Sequence, residues 1–167
     1  MKIVGYADES KVFMFSRRLL VVLVWLLLFG SVEARLVEFW SYEKLTEKSD
    51  VVFIVSVVAT KAWDEPLGIT QFTDDLEGRL TTFKVESVLK GTTKKDSIEL
   101  LHCRLKEGSF PTNGPLLAEF RVKGRNEFGA ESPQYLLFLK ARPDGRFEPV
   151  AGQIDSTVSV RKLTAGD

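Results

Sequence analysis

The single histidine and the single cysteine of this chain are neighbours, His102 and Cys103, and together they offer the most reactive chemistry in the sequence. A thiol becomes a nucleophile when a nearby base or cation lowers its pKa. An imidazole beside a thiolate could also begin a metal site. Either role requires the two side chains to converge. They sit in Ser97 to Arg104, where Ile98, Leu100 and Leu101 mark a strand, and consecutive strand residues point to opposite faces. The pair therefore cannot act together. No second imidazole is present for a zinc site of the usual kind, and a lone cysteine allows no intramolecular disulfide. Cys103 is expected to be a buried, inert thiol.

Other candidates for chemistry fail on spacing. Asp74-Asp75 lacks the alternating ligands of a calcium loop. No serine lies in the glycine pattern of a nucleophile elbow. Acidic residues are numerous but scattered over turns and solvated strand faces, not paired for acid–base work. The sequence thus assigns no catalytic, metal or cofactor residue, and a binding module is expected in place of an enzyme.

Its contact residues are sought among loop aromatics, which make effective interface anchors. Trp63 and Phe72 fall in the polar stretch Lys61 to Arg79, and Phe110, Phe120 and Phe128 fall in the irregular stretch 105–133. The competing expectation is that these rings turn back and seal the ends of the fold. The ligand is left open among protein, peptide and glycan. Nucleic acid is disfavoured, because the chain carries 23 basic and 23 acidic residues and phosphate neutralisation needs a clustered basic excess.

These residues need elements to position them. Phe39 to Lys48 reads as a short helix with Ser41 as its N-cap. The β-branched run Val51 to Thr60 reads as a long strand buried on both faces. Lys61 to Arg79 is expected as a loop. Phe83 and Val85 alternate with Lys84 and Glu86 in a strand over Leu80 to Leu89. A turn over Lys90 to Asp96 precedes the strand that holds His102. A short strand is expected at Ala118 to Val122, then a buried strand at Gln134 to Lys140. Ala141 to Gly145 makes a turn, with Arg146 to Val150 and Thr157 to Leu163 as the last strands.

Arg17-Arg18 precede an apolar run of 12 residues, Leu19 to Gly30, and Val32 and Ala34 are small residues placed for a cut after Ala34. This is the order of features in a secretory signal peptide, and Met14 opens a segment of signal length by itself. Glu33 ends the run short of the about 20 apolar residues that a spanning helix needs. The expectation is an exported protein, periplasmic or extracellular, with residues 1–34 removed and 35–167 forming one domain. The alternative is an uncleaved anchor, Leu19 to Gly30, tethering the domain to a membrane.

The ordered set of Ser49-Asp50-Val51-Val52-Phe53-Ile54, Phe83 to Gly91, Tyr135-Leu136-Leu137-Phe138-Leu139 and the Asp144-Gly145 turn resembles bacterial exported domains related to the netrin module and to tissue inhibitors of metalloproteinases. The resemblance spans most of residues 40–163. It implies a mainly β fold, a small OB-like Greek-key barrel of five to six strands with one short N-terminal helix. It also brings protease inhibition into view as an alternative function. Inhibitors of that family chelate the protease zinc through an N-terminal cysteine, whereas the expected mature chain starts at Arg35, so any inhibition here would use another mechanism.

Overall fold

The computed structural model describes residues 35–93, 95–121 and 133–163. The segment 1–34 expected as a signal peptide, with Met14 and Leu19 to Gly30, lies outside them, as does Phe128. Among the described residues no helix is long and apolar enough to cross a membrane.

Ser41 caps the helix α1, Tyr42–Lys48, by accepting a hydrogen bond from the Lys44 amide at 3.2 Å. Glu43 in its first turn and Lys48 in its last complement the helix dipole. The chain then enters β1, Val51–Trp63, followed by β2, Leu76–Lys90, and β3, Ser97–Leu105. After a long connection come β4, Gln134–Ala141, β5, Phe147–Pro149, and β6, Val160–Leu163. A single 3₁₀ turn, Ser156–Ser159, leads into β6.

The strands close on themselves in the order β1-β2-β3-β5-β4, with β1 returning to pair with β4. All the pairings are antiparallel except β3 with β5, which is parallel at Leu100 and Phe147. This is the five-stranded barrel of an OB-like fold. The sixth strand is extra: it takes the edge of β4 at Gln134–Leu137, where β5 has already ended. Three register shifts between β1 and β2 bend these long strands round the barrel.

Two apolar layers hold the fold. Phe53, Val55, Phe83, Leu100, Tyr135 and Leu137 fill the barrel interior. Val52 and Phe138, on the opposite faces of the same strands, pack with Leu45 of α1 and Val150. That second layer explains why β1 and β4 show continuous apolar runs where a one-sided sheet would alternate.

Several expected boundaries are corrected. The loop expected over Lys61 to Arg79 is shorter, because Lys61, Ala62 and Trp63 finish β1 by pairing with Leu80, Arg79 and Gly78 of β2. Ladder pairing here outweighs the polarity of the local sequence. Residues 118–121 of the short strand expected over Ala118 to Val122 are not strand. Two of their amides are held by side chains: Ser156 Oγ accepts from the Ala118 amide at 2.9 Å, and Tyr135 OH accepts from the Arg121 amide at 3.1 Å. The last strand begins at Val160, not Thr157, since the preceding residues coil into the 3₁₀ turn.

Candidate functional site

Residues opposite one another in a ladder share a face, so the register defines what lines the barrel. Along β2 the inward series runs Phe83, Thr81, Arg79, Glu77, and along β3 it runs Ile98, Leu100, His102, Arg104, paired rung by rung. One end of the barrel is therefore apolar and the other becomes polar and charged. At the polar end a cleft of about 800 Å³ opens between these strands and the connection 115–121. Its size is that of a small-molecule site.

Phe120 forms the floor of this cleft. Its ring packs edge-on against Phe83 and His102, both at 4.9 Å between centroids, and against Tyr135 at 5.3 Å. Polar groups join it in the lining, Thr60 and His102. Thr60 and Thr81 hydroxyls lie 2.8 Å apart, and Thr81 Oγ1 lies 2.8 Å from His102 Nε2. Thr60 is exposed and Thr81 is fully buried, so the chain of hydrogen bonds runs from the cleft wall inward. Burial holds the His102 pKa down to about 4, with the positive Arg79 acting in the same direction and the Cys103 carbonyl opposing it. The imidazole is neutral at pH 7.

The rim is cationic. Glu77 Oε1 accepts from Arg79 Nη2 at 2.6 Å and also from Arg104 Nε. The Arg104 contact, together with Arg79, holds the Glu77 carboxyl below its ordinary range. Glu77 thereby fixes two guanidinium groups while leaving most of their N–H donors unused. Arg79 Nε is sealed from solvent without a hydrogen-bond partner. Arg121 adds a third cation to the lining, and Glu119 an acidic group.

Thr81 touches the imidazole, but its hydroxyl is fully buried, out of reach of any substrate in the cleft. Cys103 faces away from His102, as strand alternation requires, and donates to the Gln153 carbonyl at 3.3 Å. Burial raises its pKa to about 11, which keeps the thiol protonated and unreactive.

The expected aromatic contacts are dispersed. Only Phe120 belongs to the cleft, and it packs into the barrel as much as it faces outward. Trp63 ends β1 half-buried, over a gap left by Gly78, and Arg146 stacks on its ring at 4.1 Å. Phe72 is half-buried in the β1–β2 loop with φ of 56°. Phe110 is 92% exposed on the connection after β3. Trp63, Phe72 and Phe110 are not among the residues that line the cleft. Of the residues that do line the cleft, Thr60, Arg79, His102, Arg104 and Arg121, the sequence singles out only His102, and Arg79 with its partner Glu77 falls in the stretch expected as a loop. Extending the alternation of Phe83 backward through Thr81 to Glu77 would have exposed the series.

No family model matches this sequence, and no curated protein matches it either.

Proposed function

We propose that this chain is an exported, non-enzymatic binding module whose ligand enters the cleft at the polar end of the barrel. One observation carries the reading. An open cleft of about 800 Å³ combines an aromatic floor with three arginines on its wall, and its one imidazole is neutral and buried. Pockets that place a few polar groups over an apolar surface are typical ligand sites. Catalysis would need a base oriented toward a reachable nucleophile, and the Thr81–His102 contact is closed to substrate. Export rests on the Arg17-Arg18 and Leu19 to Gly30 signal pattern.

A thermal-shift screen of a fragment collection against the exported protein tests the reading. Fragments that occupy the cleft stabilise the folded state by mass action, and mass spectrometry should recover them chemically unchanged. Arg121→Ala should weaken these hits without lowering the basal Tm. Conversion of a fragment to product, or hits indifferent to Arg121→Ala, would count against it.

A further inference from the structure

The chemistry of the cleft narrows its ligand, on the reading of the domain as a binding module. The lining combines two kinds of residue. One is apolar, with Leu105, Pro115, Leu117 and the face of Phe120. The other is the rim of Arg79, Arg104 and Arg121. Glu77 compensates one of the three guanidinium charges, and Glu119 lies in the lining as a second acid, so the site retains about one positive charge. Guanidinium forks match planar oxyanions in paired hydrogen bonds. Donors of Arg79 and Arg104 left over by Glu77 point to such a partner. No glycine-rich turn is found among the described lining residues, so the backbone cradle typical of phosphate sites is missing from them. A singly charged carboxylate fits the surplus.

We propose that the cleft binds a small organic monocarboxylate with an apolar body, its carboxylate on the arginine rim and its body over Phe120. His102 Nδ1–H faces the Cys103 carbonyl, so the neutral ring's Nε2 accepts from the Thr81 hydroxyl and Thr81 in turn accepts from Thr60, which holds both hydroxyls in place beside the arginines. Arg79 is the central anchor because its side chain is the most enclosed of the rim cations for which a partner is seen, 18% exposed against 55% for Arg104. A less solvated guanidinium holds an anion more tightly.

Decanoate, with decanol as its uncharged counterpart, provides the probe. Titrated into the isotopically labelled exported protein below micelle-forming concentrations, decanoate should shift the amides of Leu117, Ala118, Phe120 and Arg121. It should bind at least tenfold more tightly than decanol and weaken as salt is raised. Arg79→Gln should cost tenfold or more in decanoate affinity. Arg121→Gln, which lies outside the Glu77 network and leaves it intact, should cost several-fold at unchanged Tm. Equal binding of decanol and decanoate in the cleft would overturn the carboxylate inference while the binding-module reading survives. Shifts by both probes confined to other surfaces would overturn both.

Discussion

At the scale of single residues, His102 and Cys103 carry opposite lessons about burial. His102 titrates near 6.5 when unfolded and at about 4 in the fold, so the unfolded chain binds the extra proton between those values. Its contribution to stability is present above pH 6.5 and is lost as the pH falls toward 4, amounting to roughly 3 kcal/mol over that window. Denaturant unfolding at pH 7.5 and pH 4.5 should show this loss in the wild-type chain. His102→Gln should flatten that part of the difference, leaving only the carboxylate contribution. Cys103, with its pKa raised to about 11 by burial, should resist iodoacetamide in the native protein at pH 8 and react fully in denaturant. Rapid native labelling would show that the strand opens. The strand placement of this pair, facing apart, was legible from alternation alone. The neutral state of His102 was not, because it depends on Phe120 and Arg79, which reach it from elsewhere in the chain.

Elements were legible where local chemistry and pairing agree. Ser41 as a cap, the β-branched run of β1 and the Gly145 turn announce themselves in sequence. Boundaries failed where polar residues are strand only because a partner strand demands it, as at Lys61 to Trp63 and Leu76 to Arg79. A further junction ties α1 to β2. Lys90 at the end of β2 donates to the Thr46 and Ser49 carbonyls at 2.6 Å each and to the Glu47 carbonyl at 3.3 Å, satisfying the C-terminal end of α1. Gly91 follows with φ of 79°, and a Cβ there would lie 2.7 Å from Val51 Cγ1 and 2.8 Å from the Asp50 carbonyl. Gly91→Ala should therefore destabilise the domain by about 1–3 kcal/mol, from backbone strain plus the clash. Lys90→Met should cost about 1–2 kcal/mol by removing a charged donor from those carbonyls. Chemical denaturation of both variants checks these values, and a neutral Gly91→Ala would show that the helix–strand junction yields.

For the whole molecule, the closed barrel turns a linear gradient in two strands into a site. Apolar residues at one end of β2 and β3 give way to Thr81, Arg79, His102 and Arg104 at the other, and closure brings Phe120 and Arg121 over them. Phe53 lies fully buried at the apolar end. Phe53→Ala should cost about 3–5 kcal/mol as a cavity opens in the packed interior, read from the denaturation midpoint, without altering which ligands bind. The strands were accessible from their local pattern, and the barrel was what the resemblance of those ordered segments implied. The site was not accessible, because it is assembled by register between strands and by a connection whose backbone follows no regular pattern.

The central claim is that the polar end of the barrel is where ligand binds. Mapping the amide shifts of the labelled protein with a pool of fragment ligands tests it most directly. Thr60, Ala118, Phe120 and Arg121 should move first, while Val58 and Val88 on the exposed outer surface stay in place. Shifts centred on the outer surface, with the cleft amides still, would contradict it.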